Sequence, residues 1–182
     1  MKQIIILALV LLSLLYSCKQ DKGEAKNQNE IELEVNDLLN NWHKSASEAN
    51  FDSYFGAMDS ISIYIGTDAS ENWTKKEFAD FSKPYFDKGK AWNFTTIERN
   101  IYFSKNGDIA WFDELLNTWM GICRGSGVLE KTSDKWKIKH YVLSVSIPNE
   151  DIKTVVSAKI KTDSVFLKKY YEKIYSSTLN SK

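Results

Sequence analysis

Cysteine is nearly absent from this 182-residue chain; Cys18 and Cys123 are the only two. Cys18 has a separate role, argued below, which leaves Cys123 alone. No intramolecular disulfide can then form, so core burial must supply the stability. Histidine is equally scarce. His43 and His140 stand far apart, no Cys/His cluster has metal-ligand spacing, and neither a metal nor a cofactor is expected. Glycine never gathers into a phosphate-cradling loop: Gly121, Gly125 and Gly127 fit no nucleotide fingerprint. Neither sign of charge is in excess, since 24 Lys+Arg balance 24 Asp+Glu. Nothing therefore draws the chain toward nucleic acid. No apolar run reaches the length of about 20 residues that spans a bilayer.

The longest apolar run is residues 4–15, preceded by Lys2. It has the length of a signal-peptide core. It ends in Leu15-Tyr16-Ser17-Cys18, which resembles a bacterial lipobox, with an aliphatic residue at −3, a small residue at −1 and then the cysteine. Tyr16 is bulkier than usual at its position. The resemblance implies acylation of Cys18, cleavage before it, and a protein anchored to the membrane of a bacterial cell envelope by its lipidated N-terminus. A plain secretory signal with an incidental cysteine is the alternative. The expected organisation is a lipoprotein signal peptide over 1–17, a flexible tether over 18–30, a folded domain over 31–147 and a helical extension over 148–182. About 160 residues remain after cleavage, enough for one domain with a real core. Aromatic residues make up 13% of the chain, six of them Trp, and must fill a core or line a cavity.

Lys19 to Glu30 has no apolar residue larger than Ala, as a tether requires. Ile31, Val35, Leu38, Trp42, Ala46 and Ala49 then recur at helical spacing and predict an amphipathic first helix. A short second helix is predicted over Asp52 to Met58, with Asp52 as N-cap. Ser60 to Ile65 alternates, which predicts a strand with Ile61, Ile63 and Ile65 on one face. Thr74-Lys75-Lys76-Glu77 is a capping box opening a third helix that carries Phe78, Phe81, Tyr85 and Phe86. Four antiparallel strands follow: Trp92 to Ser104, Ile109 to Met120, Ile122 to Lys131 and Trp136 to Ile147. Turns at Lys105-Asn106-Gly107-Asp108, near Gly121, and at Thr132-Ser133-Asp134 separate them. One or two peripheral helices complete the chain.

This order predicts an α+β fold, a cone-shaped curved antiparallel sheet wrapped around the N-terminal helix. The blocks Trp73-Thr74-Lys75-Lys76-Glu77-Phe78, Gly107-Asp108-Ile109-Ala110-Trp111, Arg124-Gly125-Ser126-Gly127-Val128-Leu129-Glu130-Lys131 and Trp136-Lys137-Ile138-Lys139-His140, with the Trp42 helix, resemble the SnoaL-like group of the nuclear transport factor 2-like superfamily. That group contains isomerases, dehydratases, cyclases, hydrolases and binding domains, so the resemblance speaks to fold more than to reaction. It implies a conical pocket for a small apolar or amphipathic molecule, and a homodimer through the outer sheet face.

Period-two alternation selects the candidates. Trp136, Ile138, His140 and Val142 share a face of the last strand. A three-residue turn with Asp134 in the left-handed region adds Arg124, Ser126 and Val128. A two-residue turn at Met120-Gly121 adds Trp111, Asp113 and Leu115. Asp113 and His140 are then the candidate catalytic pair, able to move a proton beside a carbonyl, with Arg124 opposing any rise in the acid's pKa. A turn one residue longer substitutes Glu114 for Asp113. Trp42, Trp73, Tyr85, Trp111, Arg124 and Ile138 are the candidate ligand contacts. The same residues admit a plain structural role, with Asp113 and Arg124 paired across strands and His140 a satisfied core histidine. His43, beside the apolar stripe, is expected exposed or at a pocket rim, and Cys123 is expected to be a buried, inert thiol.

Overall fold

The structure, a computed structural model, describes residues 27–133 and 135–179. The expected signal peptide, Cys18 and most of the expected tether lie outside them, as does Asp134. Helix α1 spans Gln28–Ser47. It begins inside the stretch expected to be tether, because Asn27 and Glu30 cap it reciprocally: Glu30 N donates to Asn27 Oδ1 at 3.0 Å and Asn27 N to Glu30 Oε2 at 3.2 Å. Its buried face is Val35, Leu39, Trp42, His43 and Ala46. Leu39 takes the place expected for Leu38, and this small rotation carries His43 inward. Helix α2 spans Phe51–Ala57 and its N-cap is Asn50, not Asp52: Asn50 Oδ1 accepts from Ser53 N at 3.1 Å.

Strand β1 spans Met58–Ile65 and buries Met58, Ser62 and Tyr64. The isoleucines share the other face, and Ile61 is 73% exposed. Tyr64 is the reason: its ring stacks on Phe78 at 3.8 Å and removes more apolar surface than an isoleucine could. A short strand β2 over Asn72–Thr74, unforeseen in the sequence, pairs antiparallel with β1. Helix α3 over Lys75–Asp87 has the full capping box, Thr74 with Glu77. It buries Phe78, Ser82 and Phe86, while Phe81 and Tyr85 stay half-exposed.

The meander follows as β3 (Thr95–Phe103), β4 (Ile109–Thr118), β5 (Gly121–Thr132) and β6 (Lys135–Val145). These pack in the order β2-β1-β6-β5-β4-β3 into one curved, mixed sheet. It is not wholly antiparallel, because β1 runs parallel to β6. The β4–β5 turn is Trp119-Met120, with Thr118 paired to Gly121. A single helix α4, Ile152–Leu179, closes the described chain after a 3-10 turn at Asn149–Asp151. Among the described residues no helix is long and apolar enough to cross a membrane.

The core is aromatic. Trp42 stacks on Tyr54 at 4.9 Å and meets Tyr141 of β6 edge-on at 4.8 Å. Cys123 is fully buried. On β5 the core face carries Gly125 and Gly127. A Cβ at Gly127 would strike the His140 carbonyl and the Phe112 ring, and one at Gly125 would strike Tyr141 Oη. These two residues are small so that larger neighbours can enter.

Candidate functional site

On β4, Ala110, Phe112, Glu114 and Leu116 alternate into the core. Glu114 is thus a carboxylate in an apolar register, 0% exposed. Such a charge survives burial only if fully paired. Arg99 of β3 binds Glu114 Oε2 through Nε at 2.9 Å and Nη2 at 2.7 Å. Tyr141 Oη donates to Oε1 at 3.0 Å, and His43 Nε2 lies 2.8 Å from the same oxygen. Arg99 also donates to Asn36 Oδ1, Asn40 Oδ1 and Thr96 Oγ1 at 2.8, 2.7 and 3.2 Å.

Burial pushes the Glu114 carboxyl up, but the His43 hydrogen bond and charge, and then Arg99, outweigh it and hold the carboxyl below the usual range. Burial, and then the charge of Glu114, push the Tyr141 phenol well up, so it remains a donor. Glu114 is thus ionised at neutral pH and His43 Nε2 carries the shared hydrogen. Four elements meet at one carboxylate. His43, expected at the surface or a rim, is 6% exposed and is part of this network.

The expected pocket residues are distributed differently. Trp111, Asp113 and Arg124 lie on the sheet face opposite Glu114, with Trp111 45% exposed and stacked on Tyr102. Arg124 Nη1 is 3.4 Å from Asp113 Oδ1 on this outer face. His140 lies there too, but not with Ile138. Val128 pairs with His140 and Leu129 with Ile138, so Lys139 is an extra residue in β6. This bulge shifts the alternation by one. Ile138 stays in the core, Tyr141 and Leu143 follow it inward, and His140 turns out. Asp113 pairs with Ser126 and His140 with Val128, so the two stand about 10 Å apart across the sheet, two strand spacings, and are also out of register along it. The expected inner-face convergence of Asp113, Arg124 and His140 therefore does not occur. Trp42 is in the core, and Tyr85 lies on the exposed side of α3, packed against Phe81.

Of the expected ligand contacts, Trp73 lines a cleft of about 170 Å³. Tyr64 of β1 and Leu143 of β6 also line it, with Phe78 and Phe81 of α3. Trp92 and Phe94, just before β3, line it, as do Trp119 and Met120 of the β4–β5 turn. Thr67 and Glu71, from the loop between β1 and β2, supply polar groups. Trp119 is 82% exposed at the tip of its turn. The aromatic walls are braced: Trp73 stacks on Phe81 at 4.8 Å, and Phe78 on Trp92 at 5.6 Å. The Glu114 network lies behind them, with the His43 ring 6.3 Å from Phe94. No group of His, Cys, Asp and Glu side chains among the described residues could hold a metal ion.

A lone Glu in the inward register of β4 was the signal for the network, since alternation leaves it no solvent. The cleft had no such signal, because its residues come from seven separate segments.

The fold is shared with solved proteins. An NTF2-like protein of unknown function from Pseudomonas putida superposes with a TM-score of 0.57 at 11% identity, over 69% of this chain and 93% of that one. A candidate dehydratase of the NTF2-like family from Streptomyces avermitilis gives 0.56 at 12% identity, over 66% and 98%. The association domain of CaMKII from C. elegans gives 0.54 at 18%, over 65% and 98%. At these identities the likeness is one of fold. No curated protein matches the sequence. The SnoaL-like domain model matches residues 35–148. That match runs from the first buried residue of α1 to just past the sheet, and the chain therefore belongs to the SnoaL-like domain family of NTF2-like proteins.

Proposed function

We propose that this protein is a lipid-anchored envelope protein whose SnoaL-like domain binds a small apolar or amphipathic molecule in the aromatic cleft. The observation that carries the binding reading is the cleft itself. Its walls are mainly rings, it opens to solvent beside Trp119, and it is too small for a drug-sized ligand, whose pockets run to about 300 Å³ and more. The Glu114 network does not compete for this role. Every partner of its carboxylate is engaged within the fold, which suits an organising centre rather than a reacting one. Mass spectrometry of small molecules retained by the purified protein tests the reading. A stoichiometric apolar species, lost on Trp73→Ala, is expected. A protein that retains nothing and enhances no hydrophobic dye would overturn it.

The anchoring reading rests on Lys2, the apolar run and Leu15-Tyr16-Ser17-Cys18. Metabolic labelling with a fatty-acid analogue should mark the wild type and not Cys18→Ser. Equal incorporation in both would exclude acylation at Cys18.

A second reading, a homodimer through the outer sheet face, has its own observation. Tyr102, Ile109, Trp111 and Ile122 expose large apolar side chains on adjacent strands of that face.

A further inference from the structure

The cleft has a narrower chemistry than its apolar walls alone suggest. Its one ionisable group besides the Tyr64 phenol is the Glu71 carboxylate; no Lys, Arg or His among the described residues lines it. Glu71 is fixed in place. Its Oε2 accepts from Asp68 N at 3.1 Å, and its carboxylate lies so close over Gly66 that a Cβ there would collide with Oε2. Glu71 Oε1 accepts no hydrogen bond from the described residues. Burial, and then the charge of Glu71, push the Tyr64 phenol up; the field of this carboxylate therefore reaches the cleft wall.

The Glu71 carboxylate is part-exposed at the cleft, and no cation among the lining residues partners it. Aromatic faces carry negative electrostatic potential and attract cations. Apart from the Tyr64 hydroxyl the rings offer no hydrogen-bond acceptor, and Thr67 and Glu71 lie only at one side, so a primary ammonium among the rings would remain under-satisfied. A methylated ammonium presents only C–H surface to rings and its charge to the carboxylate. The cleft volume of about 170 Å³ suits a head group of that kind.

We propose that the cleft binds a small quaternary or methylated ammonium compound, held among Tyr64, Trp73, Trp92, Phe94 and Trp119 with Glu71 as its counter-ion. This rests on the reading that the cleft is a small-molecule site.

The test is titration of the detergent-solubilised full chain with choline, followed by calorimetry and tryptophan fluorescence. Its uncharged isostere, with carbon in place of the quaternary nitrogen, is the control. Choline is expected to bind about tenfold more tightly than the isostere. Glu71→Gln should remove most of that difference and leave isostere binding unchanged. Trp119→Ala, at an exposed turn where folding is not at stake, should weaken choline while the thermal transition stays in place. Equal binding of choline and isostere, or a Glu71→Gln variant that binds choline as well as the wild type, would overturn the cation assignment and leave the small-molecule site standing. Binding of neither probe while a hydrophobic dye still enters the cleft would also overturn it. Failure of choline, isostere and dye together would remove the site itself.

Discussion

At Glu114 the sequence places a carboxylate where the strand has no access to water, and three partners from three other elements make that tolerable. Removing the charge leaves Arg99 buried without its counter-ion, and breaking such a pair from one side typically costs about 3–5 kcal/mol. Glu114→Gln is therefore expected to lose stability in that range in urea titration at neutral pH, with its fold retained. The pH dependence follows from the lowered carboxyl. Unfolded glutamate titrates near ~4.3, and folded Glu114 lower. Its contribution is fully present above the unfolded value and is lost as pH falls through the folded one. Wild type and Glu114→Gln should thus converge in stability as the solution is acidified below about pH 4. A constant gap across that window would mean that the carboxylate charge contributes nothing. The buried phenols Tyr54, Tyr64 and Tyr141 are shifted up, chiefly by burial. Their contribution has the opposite sense: present below about pH 10 and lost as pH rises.

Strand β6 shows how one residue sets the chemistry of an element. Lys139 sits unpaired opposite β5, and this lets both Ile138 and Tyr141 face inward. Deleting Lys139 restores simple alternation and forces a choice. Either Ile138 faces solvent, or Tyr141 does and its bond to Glu114 is lost. The expected outcome is loss of cooperative unfolding, seen by circular dichroism and a broadened thermal transition. Lys139→Ala keeps the bulge and gives up only ion pairs with Asp59 and Glu130, so it should melt close to wild type. A deletion variant as stable as Lys139→Ala would show that the bulge is dispensable. The same bulge decided which residues were legible. Asp113 and Arg124 share a face, but linking them to Ile138 requires an unbroken period of two. The position of bulges depends on which neighbour strand fits, and β6 has two: it pairs antiparallel with β5 and parallel with β1.

For the molecule as a whole, two surfaces stand apart from the core. Helix α4 leaves Val156, Ile160, Tyr170 and Tyr171 about half-exposed, and no buried core residue of the sheet domain comes from it. Ending the chain at Asp151 is expected to leave the melting temperature of the sheet domain unchanged within a few degrees; a fall of about 10 °C, more than ~1 kcal/mol for a domain of this size, would make α4 part of the fold. On the outer sheet face, Trp111→Glu is expected to lower a concentration-dependent mass in sedimentation to that of the monomer. A wild-type mass that does not change with concentration would remove the homodimer.

The sequence by itself determined what is local. Helical spacing identified α1, the Thr74–Glu77 capping box started α3, and turns at Asn106-Gly107 and after Thr118 laid out an antiparallel meander. Each of these depends on residues a few positions apart, whose preferred dihedrals and hydrogen bonds are set before any tertiary contact forms. The tertiary structure decided everything that joins distant segments. Tyr64, rather than the isoleucines, fills the inner face of β1 because Phe78 is there to stack on. His43 turned inward because Glu114 needed a partner. The aromatic cleft exists only where seven segments meet. Such outcomes follow from competition among side chains for a shared, dense interior, and that competition takes place only once the chain has closed on itself.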